Sequence, residues 1–354
     1  MIEHDYFDEA ISFDNLYKGL KRACKNVRWK DSVIGYEFNG LKNTLSLRQD
    51  LLEDKYKIQP YQHFIIYEPK RREIVATRIR DRQFQSALCY AGLYDDICEH
   101  FIRDNCACQI GKGTDDAINR LKLHMSRFYN KHGIEGYVLK CDIKHFFQSI
   151  DHGIAKKCIK KYVSDKRARR EVFKIIDSYD TGIGLGSEIS QLIALSVLNE
   201  MDHMIKEKLH IKYYVRYMDD FILIHENKEY LRYCLLEIRK YLETIELELN
   251  SKTTMHPLKQ GVKFLQWKFI FSDSGKLLML MDRKKITKEK ERLRKLLVKE
   301  YSGEFSEGTS RQSLDCWLAN AKRGNTYRIQ HDMLNYYYEK EREYEREISQ
   351  EKVA

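Results

Sequence analysis

Proline, long apolar runs and paired-cysteine motifs are what this sequence has least of. Only three prolines occur (Pro60, Pro69, Pro257), and no Gly/Ser-rich tract, low-complexity segment or repeat interrupts the chain, so its lobes are expected to pack without a flexible linker. No apolar stretch approaches the roughly 18 residues needed to span a bilayer, the best being short runs such as 192–198. Membrane insertion is therefore not expected. Nine cysteines (24, 89, 98, 106, 108, 141, 158, 234, 316) include no C-x-x-C pair and lie in apolar segments, the pattern of reduced core residues. Cys106 and Cys108 are the only close pair, and they too read as core residues rather than a zinc site. The start Met1-Ile2-Glu3-His4-Asp5 is acidic and lacks the basic and apolar regions of a secretory signal. A cytoplasmic location is the expectation.

What the chain does have is apolar mass and positive charge. With 43% apolar and 12% aromatic residues in 354, it can bury a large core, and disorder over most of its length is excluded. At roughly 100–200 residues per domain, two or three lobes are expected. Lys and Arg (63) exceed Asp and Glu (53) by 10. Such a surplus suits a polyanionic partner and equally a merely basic surface.

Apolar spacing predicts helices over 13–60, through Leu16, Leu20, Val27, Val33, Leu41, Leu45, Leu51 and Leu52. Segments 63–67 and 73–77 read as strands joined by the basic turn Glu68-Pro69-Lys70-Arg71-Arg72. Helices follow over 81–103 and 114–131, the second with Thr114 as N-cap. Segment 137–143 reads as a buried strand that delivers Asp142 near its carboxyl end, and helices are expected near 152–178 and 188–209. The strand-like runs 212–217 and 221–225 leave only Met218, Asp219 and Asp220 between them, which predicts a tight hairpin with acids at its tip. Segment 228–247 is an amphipathic helix by spacing, and 261–281 returns to strand character. Beyond Asp282 the chain is helical and basic, with nine Lys or Arg in 283–299. The stretch 339–352 alternates charge, as a solvated helix or fraying tail does.

The chemistry concentrates in Asp142 and Asp219-Asp220. Carboxylates at one strand end and at a strand–turn–strand can converge on two divalent cations about 3.5–4 Å apart, the arrangement for in-line phosphoryl transfer. Mg²⁺ suits such a site because it takes oxygen ligands and shares its shell with substrate phosphates; Mn²⁺ is the expected substitute. An Asp pair alone means little, since Asp95-Asp96 and Asp115-Asp116 also occur. Asp219-Asp220 is distinguished by its setting between Tyr217-Met218 and Phe-Ile-Leu-Ile.

Tyr217-Met218-Asp219-Asp220 resembles the signature of bacterial reverse transcriptases, and the likeness extends to further blocks in order. Asp142-Ile143-Lys144-His145-Phe146-Phe147 is similar to the family's first catalytic segment, and Gly184-Leu185-Gly186-Ser187-Glu188-Ile189-Ser190-Gln191 to its template- and nucleotide-positioning segment. Segment 247–253 resembles the next block, and Phe264-Leu265-Gln266-Trp267 the primer-grip hairpin. Arg72 through Asp81-Arg82 resembles the fingertip strands, and 107–117 a further finger block. The resemblance covers roughly residues 60–330. It implies an α+β right-hand polymerase with fingers, palm and thumb, an antiparallel palm sheet and a helical thumb. The expected divisions are 1–135 (N-terminal extension and fingers), 136–281 (palm, with finger elements interleaved), 282–340 (thumb) and 341–354 (charged tail).

The resemblance also implies roles. Asp142, Asp219 and Asp220 carry catalysis, and with Ile143 they form the metal site. Arg72, Arg78, Arg82, Phe147, Leu185, Gly186 and Lys252 bind the nucleotide, with Phe147 as a steric gate against a 2′-hydroxyl and Lys252 beside the leaving pyrophosphate. Tyr217, Met218, Ser190, Gln191, Phe264, Leu265 and Trp267 meet template or primer. Guanidinium groups suit triphosphate because they bond phosphate in bidentate fashion, and the basic segment 283–299 fits a thumb that tracks a nucleic-acid backbone.

Leu185 stands where most relatives have Gln, Gln191 where they have Pro, and Gln266 where the grip has Gly. The first two departures point toward reverse transcriptases of diversity-generating retroelements and of antiphage defence. No RNase H, integrase or endonuclease is expected after the thumb. The implied partners are a noncoding RNA template, the DNA product, dNTPs, and an accessory protein, a second polymerase or further copies of the chain. The competing reading is a catalytically degenerate RNA-binding scaffold, against which the three mutually repelling carboxylates argue.

Overall fold

The computed structural model describes residues 5–67 and 71–351, with side chains described as far as 346. It is a mixed helix and sheet structure of two compact units, Met1–Leu121 with Leu139–Met255, and Lys122–Val138 with His256–Ala354. The acidic start, residues 1–4, and the turn residues Glu68, Pro69 and Lys70 lie outside the described residues.

The first unit begins with α1 (Phe7–Ala10), α2 (Phe13–Cys24), α3 (Asp31–Phe38) and α4 (Gly40–Leu52). Ser12 caps α2 by accepting the Asn15 N–H, and Leu16, Leu20 and Cys24, four residues apart, form its fully buried stripe. Helix was expected to residue 60 but stops at Leu52. The buried Asp81 carboxylate claims the following segment instead, accepting the Tyr56 hydroxyl (2.8 Å) and the Gln59 N–H (3.0 Å). Strands β1 (Gln62–Ile66) and β2 (Arg72–Ala76) then form an antiparallel hairpin with Ile66 opposite Arg72. Helix α5 (Ile79–Leu88) lies on α2, and a π-helical turn over 89–93 separates it from α6 (Tyr94–Cys98), so the expected continuous helix 81–103 is broken.

After α7 (Thr114–His132), β3 (Tyr137–Asp142) enters a four-stranded sheet. Its order is β4 (Tyr213–Tyr217), β5 (Asp220–His225), β3, β6 (Thr254–Pro257). The β4–β5 hairpin is antiparallel, and β5 is buried between its two end residues. Between β3 and β4 run α8 (Phe146–Ser149), α9 (His152–Tyr162), α10 (Lys166–Asp177), α11 (Glu188–Val197) and α12 (Asn199–His203), and α13 (Lys228–Thr244) follows β5. Short polar side chains start most of these helices: Asp151, Asp165, Ser187 and Asn227 each accept a first-turn N–H.

In the second unit, β7 (Val262–Phe264), β8 (Trp267–Phe271) and β9 (Leu277–Met281) form an antiparallel meander, followed by α14 (Arg283–Tyr301), α15 (Thr309–Ala321) and α16 (Tyr327–Glu351). Leu293, Leu297, Leu314, Leu318, Met333 and Tyr337 make the core of this helical part. The charged stretch expected as a solvated helix or fraying tail is the second half of α16, exposed or half-buried as far as residue 346, and Tyr344 packs on that core. Helix α16 runs unbroken through 340–341, where the expected thumb and tail meet.

Candidate active site

The β4–β5 hairpin turns on two residues. Tyr217 pairs with Asp220, so Met218 and Asp219 are the turn, and Met218 adopts φ +56°. A non-glycine residue there is uncommon, and the surroundings hold it. Arg216, one residue before Tyr217, is fully buried and donates from Nη1 to the Met218 carbonyl (3.0 Å). The Asp219 carbonyl accepts the Ile143 N–H (3.2 Å), which ties the turn to the end of β3. The Asp142 carbonyl accepts the Asn250 N–H (2.7 Å), and Asn250 Oδ1 accepts the Lys252 N–H (3.1 Å). Asp142, Ile143, Asp219, Asp220 and the backbone that carries Lys252 thus share one hydrogen-bonded cluster.

The acids are half-buried and feel one another. Burial raises the Asp219 carboxyl above the ordinary carboxylate range, the Asp142 charge adds to this, and Arg72 opposes it. Burial pushes Asp220 up to about 6; Lys140 opposes, while Asp142 and Asp219 add. Lys140, two residues before Asp142, reaches Asp220 Oδ2 at 3.1 Å. Asp220 Oδ1 is buried with no hydrogen-bond partner. An orphaned carboxylate oxygen beside two further acids is what a dication would relieve, so the residues present fit a divalent metal. Among the described residues no three His, Cys, Asp or Glu side chains already close into a metal cage. The acids are an open oxygen set of the kind Mg²⁺ shares with water and substrate phosphate.

The other expected residues fall into three groups. Arg72 begins β2, exposed, and its charge opposes the rise at Asp219. Phe147, half-buried on α8, meets Phe146 edge-on (5.5 Å between ring centres). Its carbonyl accepts the Ile183 N–H (2.7 Å), which docks α8 on the loop leading to Leu185 and Gly186. Leu185 is half-buried, Gly186 is exposed, and Arg82 shares a cavity with Gly186. Lys252 is exposed.

A second group is turned to structural work. Arg78 Nε donates to the Pro60 carbonyl (3.0 Å). Ser190 is fully buried beside the Tyr179 hydroxyl (3.3 Å), whereas Gln191 lines a cavity of about 330 Å³ with Tyr90, Tyr94 and Ile110. The third group belongs to the second unit. Phe264 and Trp267 pair across the β7–β8 hairpin and are buried in it, so only the turn Leu265-Gln266 is presented. Both turn residues have positive φ, as a two-residue hairpin of this twist demands. Gln266, where glycine was the family expectation, adopts +77° and accepts Lys285 Nζ (3.0 Å).

Sequence reading missed Arg216, Asp202 and Lys140. Asp202 on α12 chelates Arg216 (Oδ1–Nε 2.7 Å, Oδ2–Nη2 2.5 Å) and accepts the Tyr214 hydroxyl (2.6 Å). A lone arginine in the otherwise apolar run Tyr213-Tyr214-Val215-Arg216 was the available signal. Nothing local marked Asp202 as its partner.

This geometry is that of a mixed-fold chain with three acids gathered at a strand end and a two-residue turn. The sequence profile described as "Reverse transcriptase (RNA-dependent DNA polymerase)" matches residues 70–269, more than half of the chain. The chain belongs to the reverse transcriptase family. Protein YkfC of Escherichia coli (strain K12) is 25% identical over 277 residues, 63% of this chain and 70% of that protein. Among solved structures, apo telomerase from Candida tropicalis truncated from its C-terminal domain has a TM-score of 0.48 at 12% identity, over 68% of this chain and 60% of that one. Telomerase from Candida albicans in complex with a TWJ fragment of telomeric RNA has a TM-score of 0.49 at 11% identity, over 87% of this chain and 65% of that one. The chain thus spans less than two thirds of the length of these two telomerase chains.

Proposed function

We propose that the protein is an RNA-directed DNA polymerase that extends a primer by nucleotidyl transfer at Asp142, Asp219 and Asp220. The observation that carries this reading is the acid cluster itself, built on a turn and a strand end that hydrogen-bond to each other, with one buried carboxylate oxygen left without a partner. Asp142, Asp219 and Asp220 would hold two Mg²⁺, with the Ile143 segment closing the site. Bound there, the ions supply activation of the primer 3′-hydroxyl and neutralisation of charge on the departing pyrophosphate.

The protein's own residues bind and orient. Arg72 and Arg82 receive the triphosphate, Phe147 lies beneath the sugar and excludes a 2′-hydroxyl, and Lys252 stands on the turn anchored to Asp142. Tyr217 and Met218 meet the primer end, Gln191 the template, and the Leu265-Gln266 turn the primer strand. The finer reading follows the aliphatic Leu185 and the Ser190-Gln191 pair. They favour a cytoplasmic enzyme that copies a dedicated noncoding RNA in a bacterial retroelement or antiphage system, with an accessory protein, a second polymerase or self-assembly completing it.

The test is sequencing of nucleic acids that co-purify with the wild-type protein and with Asp219→Ala/Asp220→Ala, from cells with and without phage. DNA complementary to one bound RNA, found only with the intact acids, is the expected result. Equal RNA and no DNA in both samples would favour the scaffold reading.

A further inference from the structure

Lys140 interrupts the apolar run of β3 two residues before Asp142. Residues two apart on a strand share a face, so the lysine stands on the same side of the sheet as that acid. Its side chain is 25% exposed and that of Asp220 22%, and Nζ lies 3.1 Å from Asp220 Oδ2. An ammonium drawn this far out of water is costly without an anion, which is the local reason for the pair. The pair also divides the Asp220 carboxylate. Oδ2 accepts from Lys140, whereas Oδ1 is buried and has no hydrogen-bond partner.

The two oxygens are therefore unlike. A cation that enters the acid cluster meets Oδ1 open, and taking Oδ2 as well means displacing the ammonium. Dications differ in how much this matters. Ca²⁺ accepts about six to eight oxygens in flexible geometry and binds a carboxylate through both of its oxygens, whereas Mg²⁺ demands a near-octahedral shell that the narrow bite of one carboxylate does not fit. A lysine on the second oxygen costs Mg²⁺ little and denies Ca²⁺ a ligand. Its positive charge, by contrast, repels both dications alike.

We propose that Lys140 is a positioning residue for the metal site, holding Asp220 Oδ2 so that Asp220 offers a dication Oδ1 alone, and that this biases the site toward Mg²⁺ and against Ca²⁺. The inference rests on the reading that Asp142, Asp219 and Asp220 hold divalent ions. Lys140 acts through Asp220, as an outer hydrogen-bond partner orients a metal-ligating group.

The experiment is titration of the full chain with Mn²⁺, free Mn²⁺ being read by electron paramagnetic resonance, followed by displacement with Mg²⁺ and, separately, with Ca²⁺. Wild type, Lys140→Met, Lys140→Arg and Asp219→Asn/Asp220→Asn are compared, each checked as folded by calorimetry. Wild type should bind Mn²⁺, and the double acid variant should lose that binding. In Lys140→Met the ratio of Ca²⁺ to Mg²⁺ affinity should rise about tenfold. Lys140→Arg restores a cationic donor and should bring the ratio back toward wild type. Damage to the fold weakens both ions, and loss of charge alone tightens both in proportion, so neither moves the ratio. An unchanged ratio in Lys140→Met, or the same rise in Lys140→Arg, would overturn the role of Lys140 and leave the metal site standing. Wild-type protein that binds no Mn²⁺, or binds it equally well without the acids, would overturn the metal reading and this inference with it.

Discussion

Asp202→Ala is the substitution on which the architecture of the acid-bearing turn can be tested most sharply. Arg216 and Asp202 are both fully buried and share two hydrogen bonds, with the Tyr214 hydroxyl as a third donor to the same carboxylate. Removing the carboxylate leaves a guanidinium without a counter-charge in the interior, a change that costs about 3–5 kcal/mol, and strands the Tyr214 hydroxyl for roughly 1 kcal/mol more. At about 2–4 °C per kcal/mol for a body of this size, the melting temperature should fall by about 8–24 °C. Replacing the whole set with apolar groups in Asp202→Val/Tyr214→Phe/Arg216→Met should recover most of that stability, because a buried ion pair does little better than packed hydrocarbon. The triple variant nevertheless lacks the donor to the Met218 carbonyl, which alone among these bonds reaches the turn. It should therefore fold and extend primers poorly. Calorimetry with primer extension on the same samples decides the matter. A single variant within 1 kcal/mol of wild type, or a triple variant with full activity, would refute the argument.

Three further outcomes follow from the geometry. Phe147→Ala should relax sugar selection, read as a rise in rNTP incorporation relative to dNTP by about tenfold or more; unchanged selectivity would remove Phe147 from the gate. Gly182→Ala places a methyl group 2.4 Å from the Phe147 carbonyl at a backbone φ of +61°, so it should destabilise by roughly 1–3 kcal/mol and degrade the same selectivity with Phe147 intact. Chelation of divalent ions should abolish extension, with Mg²⁺ restoring it fully and Mn²⁺ at least in part; activity that survives chelation would contradict the role given to the acids.

The acids were legible because each sits in a local pattern, an apolar run ending in Asp142 and two apolar runs separated by three residues. Apolar, partly β-branched runs bounded by turn residues also foretold the β1–β2 hairpin and strands β3, β4 and β5. What escaped was fixed by partners distant along the chain. Helix stopped at Leu52 rather than at residue 60 because Asp81, far along the sequence, captures Tyr56 and Gln59. The bond from Arg216 to Asp202 joins a strand to a helix with no local trace. In α16 the stretch from residue 339, read as a solvated helix or fraying tail, is helical and has no fully buried side chain as far as residue 346, while Tyr344 alone within it packs on the core that Met333 and Tyr337 build. Phe264 and Trp267 resembled primer contacts by motif, yet the hairpin buries both and presents Leu265 and Gln266.

The most direct measurement is primer extension on an RNA template by purified wild-type protein, Asp142→Asn and Asp219→Asn/Asp220→Asn. The acid variants must remain folded by calorimetry and retain RNA binding. DNA product complementary to the template from wild type alone, with the acid variants reduced by a factor of at least about 10³, is the predicted result. Extension that persists at comparable rates without the acids would contradict the account.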